Sequence, residues 1–253
     1  MKVTPKKRLG QHFLNDEKIA SDIVSALSDK NRNILEIGAG MGVLTKYLLQ
    51  KDINLKVVEI DEESVEYLNL HYPALEKNLL ADDFLKLKLD EIFDGEMSII
   101  GNFPYNISTQ IIFKMLDYKD IVTEMVGMFQ KEVAERLAAK PGSKSYGITS
   151  VLVQAFYDIE YLFTVDENKF TPPPKVKSAV IRIEKNNQKK LNCDEAVFKK
   201  VVKTAFNQRR KTLRNSLKPF NFKEEFASHE IFSLRPEQLT VQQFEEISNA
   251  IIG

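Results

Sequence analysis

The chain has 253 residues, 43% of them hydrophobic and 28% charged, with 36 basic and 36 acidic side chains. This is the composition of one large globular domain or two unequal ones, and it excludes a disordered, collagen-like or uniformly basic chain. Cys193 is the only cysteine, which excludes an intramolecular disulfide framework and a cysteine-based zinc cluster and fits a reducing, cytoplasmic setting.

Three scattered histidines suggest no metal site. No apolar run approaches the roughly 18 residues of a membrane helix. Lys2, Lys6, Lys7 and Arg8 are not followed by the apolar stretch of a signal peptide.

From Asp16 to Leu27, apolar residues at Ile19, Ile23, Val24 and Leu27 make a helical stripe that Asn15 or Asp16 can cap. Asn33 to Ile37 is short, apolar and followed by glycines, so it reads as a buried strand, with a helix expected over Gly42 to Leu49. Leu55 to Glu59 is a second strand and Glu62 to His71 a second helix. Further strands are expected at Asn78 to Ala81 and Met97 to Gly101, then a helix at Ile107 to Leu116. Ile121 to Phe129 reads as a strand. Lys131 to Ala139 and Ile148 to Ala155 read as helices. Tyr157 to Val165 and Val176 to Ile183 read as a closing pair of strands. Strands alternating with helices predict a mostly parallel α/β sheet with helices on both faces.

The β pattern stops at Glu184 to Leu191, a polar, lysine-rich stretch that reads as a linker. Beyond it the chain looks entirely helical, at Glu195 to Phe206, Lys211 to Leu217 and Val241 to Ile252, with Thr240 as a cap. A catalytic-sized domain over residues 1–185 and a small all-α domain over 186–253 are therefore expected.

The zero net charge conceals opposite blocks. Met1 to Phe13 carries four basic residues and no acidic one. Lys185 to Lys218 carries eleven basic and two acidic residues, whereas 14–184 and 219–253 are net acidic. The plain reading of such runs is solvated helix faces; the functional one is a local grip on a polyanion.

Glu36-Ile37-Gly38-Ala39-Gly40-Met41-Gly42 follows the first strand and opens a helix. Glycines there allow a tight turn and close approach to a ligand. A dinucleotide G-x-G-x-x-G would need glycine at Val43, so the spacing resembles motif I of class I S-adenosylmethionine (SAM) methyltransferases. Glu59 ends the second strand, where a carboxylate can accept both ribose hydroxyls of a nucleoside cofactor. Asp61 reads as a cap for the next helix. In Ala81-Asp82-Asp83-Phe84 an aspartate can accept the adenine amine and the phenylalanine can pack on the ring.

Asn102-Phe103-Pro104-Tyr105 follows the fourth strand. It reads either as a simple turn or as the N-x-P-Y motif of enzymes that methylate planar, conjugated nitrogens. Adenine N6 is a poor nucleophile because its lone pair is delocalised. The Asn102 amide oxygen and a carbonyl of Phe103 or Pro104 can accept its two N–H bonds and favour a pyramidal nitrogen. Pro104 fixes the backbone, and Tyr105 offers a face for an extruded base.

These segments together resemble the ribosomal RNA adenine dimethyltransferases of the KsgA type, over nearly the whole chain. Arg8 to Leu14 is similar to the family's G-Q-N-F-L segment, with His12 for the usual Asn; the resemblance implies that His12 and Leu14 cover SAM. It further implies SAM contacts from Gly38, Gly40, Glu59, Asp83 and Asn102, with Asp83 aligning better than Asp82. Phe170 to Ser178 is similar to F-x-P-x-P-K-V-x-S, which implies that Phe170 clamps the target adenine opposite Tyr105. Ala205 to Leu217 resembles the R-R-K-T segment of the small-subunit enzymes, and Arg209, Arg210, Lys211 and Arg214, with Lys6, Lys7 and Arg8, suit RNA phosphates.

The implied activity is dimethylation of two adjacent adenosines near the 3′ end of small-subunit ribosomal RNA. The implied partner is a 30S or pre-30S particle, acted on by a monomer with no metal and no membrane contact. The alternatives are an Erm-type large-subunit RNA methyltransferase and a non-catalytic assembly factor. A protein glutamine methyltransferase, which uses N-P-P-Y, fits less well because Phe103 replaces the first Pro.

Overall fold

The computed structural model describes residues 3–188 and 190–252. Lys2 of the basic arm and Lys189 of the lysine-rich stretch lie outside the described residues. The chain order is β1 (Phe13–Leu14), α1 (Glu17–Ser25), β2 (Asn33–Ile37), α2 (Thr45–Leu48), β3 (Asn54–Glu59), α3 (Glu62–His71), β4 (Leu79–Ala81), β5 (Met97–Asn102), α4 (Ser108–Asp117) and β6 (Val122–Gln130). There follow α5 (Lys131–Leu137), α6 (Ile148–Gln154), β7 (Tyr157–Val165), β8 (Phe170–Thr171), β9 (Ser178–Lys185), α7 (Glu195–Asn207), α8 (Leu213–Ser216), α9 (Glu224–Ala227) and α10 (Val241–Asn249).

Among the described residues the main sheet has seven strands in the order β4-β3-β2-β5-β6-β9-β7. The first five are parallel, and β9 runs antiparallel to β6. This is the expected α/β architecture. The apolar runs of β2 and β5 are buried along their length, the pattern of central strands in a parallel sheet. Asp16 caps α1 through a 3.1 Å bond from Ile19 N–H, and Thr240 caps α10 in a reciprocal pair with Gln243.

Three details depart from expectation. The helix predicted from Gly42 begins only at Thr45, because Gly38, Gly40 and Gly42 all have positive φ and hold the chain in turns. A two-strand pair, β1 with β8, sets Phe13 against Thr171 and Leu14 against Phe170. The C-terminal segment is not purely helical, since Phe222 and Ile251 form an antiparallel bridge.

The chain groups into two compact units. One contains Met1–Ala134 and Ile159–Lys185; the other contains Glu135–Asp158 and Asn186–Gly253. The second unit is thus discontinuous in sequence, whereas the sequence reading placed a single cut after residue 185. Inside that unit α6 and α10 flank α7, whose Phe198, Val201, Val202 and Ala205 are buried.

The first unit places an aromatic ring below its functional motif. Phe103 is 1% exposed, and a Cβ built on Gly127 of β6 would lie 2.2 Å from its ring. A Cβ on Gly101 of β5 would lie 2.7 Å from the ring as well. Gly127→Ala should therefore lower unfolding stability by about 1–3 kcal/mol in urea titrations. Adding Phe103→Leu, which shortens the obstructing ring, should recover part of that loss.

Candidate functional site

The carboxyl ends of β2, β3, β4 and β5 open into one pocket that the arm residues Leu9 to Phe13 also line. In the sheet order β2 sits between β3 and β5, so connections leave in opposite directions from its ends. A crevice at that point is where parallel sheets bind ligands. Gly38 N–H donates to Val58 O at 2.9 Å, which sets the glycine turn against the end of β3. At Gly40, φ is 57° and an added Cβ would come within 2.8 Å of the Phe13 ring. Both glycines line the pocket.

Glu59 closes β3 and is 4% exposed. Its Oε2 accepts Gly40 N–H and its Oε1 accepts Asp61 N–H, each at 2.8 Å. These bonds fix the carboxylate toward the turn and leave lone pairs for two further donors. Burial pushes its acid up, against the pull of these backbone bonds. A diol that donates to it would restore hydrogen bonds the interior removes. Ile60, 51% exposed beside it, supplies an apolar face to a flat ring. Ile60 was missed in the sequence; its signal was a large apolar residue directly after the strand-end acid.

Asp82 and Asp83 both line the pocket. Asp83 spends one oxygen on Leu85 N–H at 3.0 Å, and Asp82 accepts Asp83 N–H at 2.6 Å. Phe84 forms part of the wall while only 3% exposed. The site thus offers a buried carboxylate, an apolar ledge and two further carboxylates, an acceptor set that fits a nucleoside cofactor such as SAM. Among the described residues no cluster of three His, Cys, Asp or Glu side chains is arranged for a metal ion.

Asn102 ends β5, and its Nδ2 donates to the backbone carbonyl of His12 at 2.9 Å. The amide nitrogen is thereby used internally, and Oδ1 is the acceptor available to a ligand. Tyr105 is hydrogen-bonded through its hydroxyl to Ser178 Oγ, and burial pushes its phenol up, so it stays neutral. Ser178 is the final residue of the F-x-P-x-P-K-V-x-S segment, and its role as an anchor was not read from sequence. The His12 ring stacks on Tyr105 at 5.3 Å and 28°, and His12 Nδ1 lies 2.7 Å from the Pro172 carbonyl. Leu14 is 4% exposed, lines a smaller adjoining pocket with Gly38, Gly40 and Asn102, and packs in the core with Phe170.

The ribosomal RNA adenine dimethylase family model matches residues 3–252. The chain belongs to that family. Ribosomal RNA small subunit methyltransferase A of Cytophaga hutchinsonii is 58% identical, over 100% of this chain and 99% of that protein. The protein of the same name from Flavobacterium johnsoniae is 57% identical, over 96% and 94%. A solved dimethyladenosine transferase from Plasmodium falciparum shares the fold with a TM-score of 0.80 at 23% identity, covering 96% of this chain and 100% of that one. The 23S rRNA methyltransferase ErmE does so at 0.71 and 21%, covering 94% and 99%.

Against the family pattern, several side chains stand elsewhere than expected. Phe170 is 3% exposed, packs in the main core and pairs with Leu14 across β8 and β1, and it lines neither of these two pockets. Lys6 is not a free cation: it pairs with buried Asp61 and, at 3.2 Å, with Glu63. Burial raises the Asp61 acid, but bonds from Lys6, Ser64 and Gln11 outweigh it and hold the group below its ordinary range. Arg209 donates to the carbonyls of Lys144 at 2.6 Å and Ser143 at 3.4 Å, so it ties a loop of its own unit. Arg214 lies 5.9 Å from the Phe232 ring centre. Lys7, Arg8, Arg210 and Lys211 are exposed and make no ion pair among the described residues.

Glu36, at the base of the glycine turn, is 1% exposed and accepts Thr45 Oγ1–H at 2.7 Å. Burial pushes its carboxyl up to about 8 from 4.5. The folded protein therefore prefers the protonated acid, and stability is lost as pH rises from about 4.5 through about 8. In ligand-free melts, Glu36→Gln should flatten this fall and melt higher than the wild type at pH 8, with little difference at pH 4.5.

Proposed function

We propose that this protein transfers methyl groups from SAM to N6 of two adjacent adenosines near the 3′ end of 16S ribosomal RNA, forming N6,N6-dimethyladenosine. The substrate would be a 30S or pre-30S particle, met in the cytoplasm by a monomeric enzyme. One observation carries the chemistry: Asn102 spends its amide nitrogen on the His12 carbonyl and so offers Oδ1 at the pocket beside Tyr105.

Glu59 would hold the ribose hydroxyls, Asp83 the adenine amine, and Gly38 and Gly40 the closely approaching chain. His12 and Leu14 belong to the segment that covers the cofactor. Bound SAM supplies a methyl group on a positively charged sulfur. Asn102 Oδ1 then accepts one N6–H of the target adenine. The Pro104 carbonyl already takes Ile107 N–H at 3.2 Å, so the Phe103 carbonyl is the acceptor assigned to the other. Holding both hydrogens out of the ring plane directs the nitrogen lone pair at the methyl. The proton leaves after nitrogen has become cationic, so no strong base is required. Rate comes mainly from positioning.

Small-subunit RNA is favoured by the relatives' shared name at 57–59% identity over nearly the full chain. The exposed Arg210 and Lys211, and Lys7 and Arg8, suit phosphate contacts that position RNA without reading sequence. The natural substrate is taken to be a particle because isolated adenines give these groups nothing to hold.

Incubation of purified 30S and 50S particles with SAM, followed by mass spectrometry of their RNA, tests the reading. Dimethyladenosine should form in 16S RNA alone, and labelling confined to 50S would overturn the choice of subunit. Asn102→Ala should bind 30S yet lose methyl transfer by at least about a hundredfold, as removal of a positioned acceptor does elsewhere. Full activity in that variant would sink the mechanism.

Arg210→Ala and Lys211→Ala should each reduce the salt dependence of particle binding by about one unit of log–log slope. Arg209→Ala should instead lower the melting temperature, since its bonds are internal. Filter binding at several salt concentrations, with parallel melts, separates the two effects.

A further inference from the structure

His12 makes three separate contacts at the heart of the site. Its ring lies on Tyr105, its Nδ1 meets the Pro172 carbonyl, and its backbone carbonyl takes the Asn102 amide. A carbonyl only accepts, so Nδ1 must carry the hydrogen of that 2.7 Å bond. The stack and the hydrogen bond together hold the ring in one orientation in the ligand-free protein. Phe170, the residue the family pattern assigns to the second wall of the base site, is buried in the core.

We propose that the His12 imidazole is a placeholder for the target base: it covers Tyr105 while no RNA is bound and must swing away for adenine to stack there. The inference rests on the reading of Tyr105 as the base platform. The ring is the right kind of object for this, flat and conjugated, and it lies over the Tyr105 face at 5.3 Å and 28°. Both His12 and Tyr105 line the same pocket, so the covered surface is the one a ligand reaches.

The division of labour within His12 allows the exchange. Only side-chain interactions, one stack and one hydrogen bond, hold the ring. The link to Asn102 runs through the backbone and survives rotation of the side chain. The acceptor that orients N6 therefore stays in place as the ring departs. An asparagine at this position would have an amide that can reach a carbonyl but no aromatic face for Tyr105. Competition lowers the apparent affinity for any base by the fraction of time the platform is covered. A base delivered by a firmly gripped RNA overcomes that; a loose nucleotide does not. His12 is in this sense a positioning residue that sets selectivity.

The test uses 30S particles reconstituted with 2-aminopurine at one target adenosine, whose fluorescence falls on stacking. The variants are His12→Ala, which removes the ring and keeps the carbonyl, and His12→Asn, which keeps a hydrogen-bonding side chain without an aromatic ring. Both should deepen the quench and lower KM for 30S by about two- to tenfold, the range of one aromatic pair. A shallower quench or a higher KM in both variants would make the ring a fixed wall of the base site and overturn the proposal. Weaker SAM binding in titrations, with the quench unchanged, would make the ring a cofactor contact only and also overturn it. A wild-type protein that methylates 30S and shows a quench abolished by Tyr105→Ala, yet is indifferent to His12, sinks this inference alone. A wild type with neither property sinks the underlying reading.

Discussion

Phe103 fills a space that two glycines leave in neighbouring strands, and the position of the catalytic motif depends on that fit. The ring is fully buried against Gly101 and Gly127 and tilts on Phe129 at 4.9 Å. Its own N–H donates to Met128 O at 3.2 Å, so backbone and side chain are both pinned to β6. Close-packed interiors have low compressibility and transmit strain instead of absorbing it. With Phe103 locked, Asn102 on one side and Pro104 and Tyr105 on the other emerge at fixed positions over the ends of β2 and β5. Precision in the placement of Asn102 Oδ1 is therefore inherited from apolar packing one residue away.

The arm that covers the pocket is held by a different kind of force. Val3 is buried, Thr4 N–H donates to Glu63 and Lys6 pairs with Asp61, all at the start of α3. Further along, β1 joins β8 and His12 reaches Pro172. The arm is thus tied at both ends while Leu9 to Phe13 spans the cofactor crevice. Lys6 carries one of the arm's positive charges, but that charge serves the fold. Among the described basic residues of this block, Lys7 and Arg8 remain exposed to an external anion.

Sequence pattern exposed the sheet because buried parallel strands read as continuous apolar runs bounded by glycine, as in Ile34 to Ile37 and Ile99 to Gly101. It also exposed Glu59 and Asn102, since a strand-end acid and an N-x-P-Y turn carry their chemistry in local order. What it could not expose were partners far apart along the chain. Pro172 and His12 are 160 positions apart, and Arg209 meets Lys144 across 65. No periodicity encodes such meetings. Phe170 shows the limit most sharply: a conserved-looking motif names the residue, but the two-residue strand pairing that sets it against Leu14 leaves no mark in composition. Likewise nothing local says that residues 135–158 group with the C-terminal helices.

Two buried carboxyls beside one glycine turn would be a poor bargain for stability alone. An interior acid without a cation partner loses hydration: burial pushes both carboxyls up, and the Glu59 charge pushes Glu36 up further. Neither has a lysine or arginine partner; each leans on neutral donors, Thr45 for Glu36 and two backbone N–H groups for Glu59. Neutral donors satisfy the oxygens without supplying a counter-charge. A lysine there would stabilise the empty fold and compete for the lone pairs that a ligand must use. The pocket is instead left electrostatically incomplete, so that an incoming group bearing hydroxyls and a positive charge gains what the fold alone does not supply. By contrast Asp61, two residues past Glu59, is fully neutralised by Lys6 and belongs to the latch. The same short stretch of chain thus separates an acid reserved for a ligand from an acid spent on closure, by whether a cation is allowed to reach it.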